Sequence, residues 1–269
     1  MAYLEPASSA ICNESSTRPD RISGRPIVQL TSAASISHHI YPEAQSFTSD
    51  GSQTVFWRKR GPNGQPDLFM ADLQHRTVRA LTDEGAKGLG ACIGPAVSPD
   101  EQWLYYVLAR HDGNEMRRVS LKTLQRETLW DLPPGKPYVL GTISPDGRYY
   151  VTGFVEQNQP ARVARVDLDT GDVRVIYSSP AVYNPHPVWD PSGSGWLLVQ
   201  ENTGYECGPH GHRLVDGLGA RLLVMRADGS DVRQLSVGRR HDEWIQGHQT
   251  WLGRRGEVVA TVVRQPSGG

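Results

Sequence analysis

Three places along this 269-residue chain put histidine where it can exchange a proton: the pair His38-His39, then His186, then His248. Imidazole has an unperturbed pKa of ~6.5, so it is largely neutral at cell pH and suited to general-base work. Arginine supplies the complementary part. Its planar guanidinium grips a carboxylate through two hydrogen bonds or steadies a developing oxyanion. Arg165, Arg221 and Arg226 all lie in strand-like runs, and residue type alone does not rank them. Most strand arginines sit in surface ion pairs. For His248, between Gly247 and Gln249-Thr250-Trp251, two readings stay open: a base at the start of a strand, or a histidine hydrogen-bonded within the fold.

A second constellation, Glu206-Cys207 followed by His210-Gly211-His212, resembles a metal site at first sight. Its spacing matches no standard zinc pattern, and it falls in a long Gly-rich excursion between strands. A flexible loop is expected there, and no metal ligand is assigned. The three cysteines, Cys12, Cys92 and Cys207, are odd in number and far apart. That usage suits a reducing compartment better than a disulfide framework.

A repeated phrase positions these residues. Ser46-Phe47-Thr48-Ser49-Asp50-Gly51 returns as Val97-Ser98-Pro99-Asp100-Glu101, as Ile143-Ser144-Pro145-Asp146-Gly147, and as Trp189-Asp190-Pro191-Ser192-Gly193. From Asp50 to Asp100 is 50 residues, and from Asp100 to Asp146 is 46. That period belongs to propeller blades rather than helical solenoids. After each turn comes a β-branched or aromatic run: Thr54 to Trp57, Trp103 to Leu108, Tyr149 to Phe154, Trp196 to Gln200. A second run follows (Asp67 to Asp72, Met116 to Leu121, Arg162 to Leu168, Arg221 to Arg226), and then a third (Thr77 to Thr82, Glu127 to Trp130, Val173 to Tyr177, Val232 to Leu235). With the apolar run before each turn, this makes four short antiparallel strands per unit. The chain is therefore read as all-β, a β-propeller of which about four to five blades are present.

Composition narrows the partners. A net charge of -1, with Lys and Arg spread over the repeats, argues against nucleic acid. No membrane span and no signal-peptide core appears, so a cytoplasmic protein is expected. Residues 1–25, rich in Ser, Pro and charge, read as a disordered tail, and 26–269 as one partial propeller. Within the latter, Pro26 to Thr31 echoes the last strand of a blade. After the fourth unit, Gln249 to Leu252 and Glu257 to Val263 offer two strands. A five-unit ring closed by three strands, or a longer ring cut short, would use them; the second is preferred, with unpaired strand edges at both ends.

The run Ser37-His38-His39-Ile40-Tyr41-Pro42-Glu43-Ala44-Gln45-Ser46-Phe47-Thr48-Ser49-Asp50-Gly51 resembles the opening of the propeller-type oligogalacturonate lyases (polysaccharide lyase family 22). The likeness continues in Asn184-Pro185-His186-Pro187-Val188-Trp189, in Gly219-Ala220-Arg221-Leu222, in the turn from Arg226 to Arg233, and in Gly247-His248-Gln249-Thr250-Trp251. It implies a seven-bladed propeller that cleaves short oligogalacturonides by β-elimination with a divalent metal, commonly manganese. It also implies that the metal ligands, three His and one Gln, come from later blades, so they appear absent from this chain. By position His248 matches the family's base and Arg221 its essential arginine, while His38 and His186 are candidate substrate contacts. Two departures stand out: Gln249 replaces a Glu after the base, and the segment around His210 lacks a His-Glu-Gly-Pro stretch.

The expected function is thus breakdown of an acidic oligosaccharide by a His base and an Arg clamp, weak or lost if the metal site is missing. The alternative is a non-enzymatic propeller similar to TolB that offers its top face to a protein partner. A peptidase lid is a weaker third reading, since the chain shows no Gly-x-Ser-x-Gly elbow of its own.

Overall fold

The computed structural model describes residues 2–4, 10–133, 135–155, 160–182, 184–202, 205–208, 211–214, 220–237 and 243–264. The first four-stranded antiparallel sheet is β5 (Ser37–His39), β6 (Gln53–Lys59), β7 (Pro66–Asp72) and β8 (Thr77–Ala80). The second is β9 (Ala91–Val97), β10 (Trp103–Ala109), β11 (Asn114–Ser120) and β12 (Arg126–Leu132). The third is β13 (Lys136–Ile143), β14 (Tyr149–Val155), β15 (Arg162–Asp167) and β16 (Val173–Ser178). The fourth is β17 (Val188–Trp189), β18 (Trp196–Asn202), β21 (Ala220–Arg226) and β22 (Arg233–Gln234), joined by β23 (Glu243–Trp251) and β24 (Val258–Arg264). This is a partial β-propeller, as the repeat predicts.

The repeated phrase builds one turn again and again. Ser98 Oγ donates to Asp100 (2.5 Å) and accepts from the Trp103 amide (3.0 Å), and Ser144 does the same with Asp146 (2.5 Å) and Tyr149 (2.9 Å). Thr48, Asp50 and Gln53 repeat the pattern at 2.6 and 3.1 Å. The Thr48 hydroxyl and the Ser52 amide hold the Asp50 carboxyl at about 2. In the fourth copy Asp190 takes the hydroxyl's place and accepts from the Ser192 amide (2.9 Å) and hydroxyl (2.6 Å). Each turn passes the chain from an inner strand to the next strand out, which is why the phrase keeps the period of the fold.

Middle strands such as Trp103–Ala109 read as nearly continuous apolar runs because both faces are covered by neighbouring sheets. The core accordingly lies between sheets. Leu68, Leu104, Tyr106, Leu140 and Val188 pack in one cluster, Val107, Met116, Tyr150 and Phe154 in the next, and Val151, Val163, Leu197 and Met225 in a third. Polar bonds tie successive sheets as well: Tyr150 Oη donates to the Gly94 carbonyl (2.7 Å) and Thr142 Oγ1 to the Pro187 carbonyl (2.8 Å). Gly141 has to be glycine, since a Cβ there would overlap both Tyr150 Oη and the Gly94 carbonyl.

Three sequence expectations are corrected. Residues 1–25 are not a loose tail throughout: β1 (Ala2–Leu4) pairs with β12, and β2 (Ile11–Cys12) pairs with β8. Outer-strand amides and carbonyls of β8 and β12 gain partners there. Nor does Pro26 to Thr31 join a blade. β4 (Pro26–Gln29) forms a hairpin with β3 (Ser16–Pro19), closed by a turn in which Asp20 Oδ1 accepts from the Ile22 (3.1 Å) and Ser23 (2.7 Å) amides. A local turn satisfies that strand before a distant one can. The excursion after β18 is likewise a hairpin, β19 (Tyr205–Gly208) with β20 (Gly211–Leu214), in which Cys207 pairs with His212. His210 lies outside the described residues.

The N-terminal segment is pinned by Glu14, whose two oxygens accept from Arg58 Nη1 and Nη2, both at 2.8 Å, and which also accepts from the Ser32 and Ala33 amides. Arg58 lies over Phe69 at 4.7 Å, and Leu30 packs on the same Phe56-Phe69 cluster. Hydrogen bonds from Arg58 hold the Glu14 carboxyl below its usual range, against the opposing effect of burial. A depressed folded pKa means that the stabilisation is present above the unfolded value, ~4.3, and is lost as pH falls through the folded one. Acidification below about pH 4, or Glu14→Gln at neutral pH, should therefore release the segment first. Amide exchange at Ser32 and Ala33 should rise in either case while β10 stays protected; unchanged exchange at those two amides would contradict this.

Candidate active site

His186 occupies the loop that enters β17, and the loop is held on both sides. The Gln200 amide donates to the Pro185 carbonyl (2.7 Å), the Asn184 amide donates to Asn202 Oδ1 (3.2 Å), and β13 reaches Pro187 through Thr142. The side chain is buried, and its two ring nitrogens meet residues of the first unit, 143 and 145 positions away: Nδ1 is 3.1 Å from Glu43 Oε1 and Nε2 is 3.2 Å from Tyr41 Oη. The ring of His248 stands beside it, with centroids 6.1 Å apart and planes at 81°.

Both histidines have left-handed backbone, φ +41° for His186 and +56° for His248. For a non-glycine residue that costs on the order of 1–3 kcal/mol and persists only where surrounding structure imposes it. At His248 the cause is visible. The β23–β24 register slips between Gly247 and Thr250, a bulge that turns the residue out of the ladder and leaves it exposed. Farther along the strand, Trp251 Nε1 donates to the Val188 carbonyl (3.0 Å), tying β23 to β17.

Several buried polar atoms near these two residues in sequence or contact have no partner among the described residues: Glu43 Oε2, Asn184 Oδ1, Gln200 Oε1, and both amide atoms of Gln249. Buried polar groups are rarely left so. Glu43 also lines an axial cavity of about 380 Å³ with Ser98, Thr142, Val188, Trp189 and Trp251. A larger cavity, about 490 Å³, lies beside Trp196 and Arg233. Around it Arg226 covers Trp196 at 3.9 Å, Asp231 pairs Arg233 at 2.7 Å and Ser192 bonds Asp190, while Arg254 and Arg255 also line it.

The other sequence candidates separate. Arg221 of β21 pairs through Nη2 with Glu201, its partner across the ladder on β18, and Glu201 also accepts from Tyr177 Oη at 2.6 Å. Burial and the Glu201 hydrogen bond raise the Tyr177 pKa and keep it a donor. The ion pair expected of any strand arginine is thus real, but its carboxylate is buried, the Arg221 side chain is 35 % exposed, and its buried Nε has no partner among the described residues. His38 is exposed on β5 opposite Trp57, while His39 bonds the Ile40 carbonyl (2.6 Å) and Ser46 Oγ (3.2 Å). His186 is 1 % exposed, with its ring nitrogens against Glu43 and Tyr41. Tyr41, Glu43 and Glu201 are the residues that sequence reasoning did not single out. Their partners lie on other strands, and for Tyr41 and Glu43 in another unit.

Among the described residues one group of side chains lies close enough to share a metal ion: Asp67, Glu84 and Cys92, with ligand atoms within 4.8 Å. It does not fit a divalent cation. Asp67 already accepts from Thr82 Oγ1 (3.0 Å) and the Gly85 (2.9 Å) and Ala86 (2.8 Å) amides. Glu84 Oε1 accepts from Tyr106 Oη (2.8 Å) and Arg117 (3.1 Å) and forms an ion pair with Arg126 (3.1 Å). Burial, then the neighbouring carboxylates, push the Cys92 thiol far up. Two guanidiniums against Glu84 would also repel a cation.

The chain is similar in structure to an oligogalacturonate lyase in complex with manganese (TM-score 0.74, 23 % identity, 97 % of this chain and 69 % of that one). It is similar to an oligogalacturonate lyase from Vibrio parahaemolyticus (TM-score 0.73, 21 % identity, 96 % and 68 % covered) and, at a greater distance, to TolB from Acinetobacter baumannii (TM-score 0.51, 19 % identity, 82 % and 48 % covered). At such identities these likenesses establish the propeller. The family rests on sequence: the pattern of the oligogalacturonate lyases matches residues 9–143, half of the chain, a stretch that carries Tyr41, Glu43 and the first two sheets. This chain belongs to the oligogalacturonate lyase family.

Proposed function

We propose that this chain acts on short oligogalacturonides by β-elimination, with His248 as the base. The supporting observation is the position of His248: an exposed imidazole, turned out of its strand by a bulge, against a buried imidazole that neighbouring units hold in place. Elimination removes the proton at C5 of a uronate, breaks the C4–O bond to the leaving sugar, and leaves a C4=C5 double bond. The C5 proton is acidic only when the adjacent carboxylate charge is compensated, so a cation must face that group. Arg221 is assigned this role, with Glu201 holding its guanidinium through Nη2. His38, exposed on β5, is assigned to substrate contact. No step is routed through a metal, because the described carboxylates and thiol do not fit one. The free thiols Cys12 and Cys92 accord with a reducing, cytoplasmic setting.

The test is incubation of the purified chain with digalacturonate, with added manganese and with chelator, following absorbance of the unsaturated product. Product formation is expected with manganese and with chelator alike. A folded protein that makes none in any arm leaves the TolB-like binding propeller as the better reading.

A further inference from the structure

We propose that Glu43 is a positioning residue: its carboxylate holds the proton of His186 on Nδ1, and the imidazole so locked sets the ring plane of His248. This rests on the reading of His248 as base and carries it to a residue outside the reacting groups.

The donor and acceptor inventory requires the first half. A carboxylate only accepts, so the 3.1 Å contact from His186 Nδ1 to Glu43 Oε1 is a hydrogen bond only if Nδ1 carries the proton. In the neutral ring Nε2 is then the acceptor, and it receives the Tyr41 hydroxyl at 3.2 Å. With one partner on each nitrogen, flipping the ring about its Cβ–Cγ bond would lose both bonds. The side chains of His186 and Glu43 are 2 % and 3 % exposed, so leaving either without its partner is costly.

The second half follows from contact. The rings of His186 and Tyr41 meet edge-on at 5.0 Å and 62°, and those of His186 and His248 at 6.1 Å and 81°. Through that edge-on contact the His186 ring sets where the His248 nitrogen points. Glu43 belongs to the loop after β5, Tyr41 to the same loop, and His248 to β23, so the first unit orients a base carried by the last described strands.

The test reads the tautomer directly, through two-bond proton–nitrogen spectra of the histidine rings in the full chain at fixed neutral pH. Wild type should show His186 as the neutral Nδ1–H form with a cross-ring contact to His248. Glu43→Leu should lose both the single tautomer and the cross-ring contact, whereas Glu43→Gln should keep them, since its amide oxygen accepts the same proton. Tyr41→Phe should shift the Nε2 signal and leave Nδ1–H in place. On digalacturonate, Glu43→Leu should lower kcat by about 10²-fold, the scale of a misplaced catalytic group, with KM within about twofold, and Glu43→Gln should recover most of the loss. An Nε2–H tautomer or an imidazolium in wild type, or a Leu variant that keeps the wild-type spectrum, overturns the proposal. So does a Gln variant that loses the tautomer. The spectra decide this even if no elimination is seen, in which case the lyase reading fails by itself. If Glu43→Leu does not fold, Glu43→Gln and Tyr41→Phe still decide it.

Discussion

Replacing His248 by alanine should lower kcat/KM for digalacturonate by about 10²- to 10⁴-fold, the range a positioned general base contributes. Stability should hardly change, because the side chain is exposed and surface substitutions stay within about 0.5 kcal/mol. His248→Gly sharpens the expectation. At φ +56° a glycine is unstrained, so this variant should lose the same activity while melting no lower than wild type, and somewhat higher if the strain is released. Loss of catalysis with preserved or improved stability is the signature of a residue kept in a costly conformation for chemistry. A packing histidine predicts the reverse, a lower melting temperature with residual activity. Product absorbance and a thermal melt on the same samples separate the two, and an alanine variant with more than a tenth of wild-type activity excludes His248 as the base.

The largest stability effect should come from Glu84, far from the histidines. Its carboxylate lies between the first and second sheets, takes hydrogen bonds from Tyr106 and Arg117 and forms an ion pair with Arg126, with side-chain exposures of 1 % for Glu84, 8 % for Arg117 and 4 % for Arg126. Burial, followed by the charge of Glu84, raises the Tyr106 pKa and keeps it a neutral donor. Glu84→Ala leaves two guanidiniums and a phenol facing a void. Breaking a buried pair by removing one partner costs about 3–5 kcal/mol. The lower end applies, since Arg117 keeps Glu115 at 2.6 Å and Arg126 keeps Asp83 at 2.5 Å. In a chain of this size, about 3 kcal/mol corresponds to a fall in melting temperature of roughly 6–12 °C. Glu84→Gln, which keeps the shape and one acceptor, should fall less. If Glu84→Ala melts within about 2 °C of wild type, the network contributes no net stabilisation, and the reading of these residues as structural fails with it.

Much of the fold can be read from the chain because its causes are local. The Ser/Thr–x–Asp phrase closes a turn through bonds spanning two to five residues, so each copy marks one unit without reference to the others. Apolar runs such as Trp103–Ala109 announce strands covered on both faces, and their register follows from the turns. The places where reading fails are those in which distant segments compete. Pro26–Gln29 carries a strand pattern that suits a blade, and the Asp20 turn gives it a nearer partner. Nothing in the sequence of 1–25 shows that it will lie along the outer edges of two sheets.

The site divides in the same way. Residue types left Arg165, Arg221 and Arg226 unranked and His248 with two readings; the motif order shared with the family is what named His248, Arg221, His38 and His186. Only the tertiary structure decided that Arg221 is seated on Glu201, that His186 lies buried behind His248, and that Glu43 and Tyr41 of the first unit hold it. The physical reason is range: a turn is decided by hydrogen bonds within a few residues, whereas the bond from His186 to Glu43 spans 143 residues and exists only once separate sheets have packed around one axis.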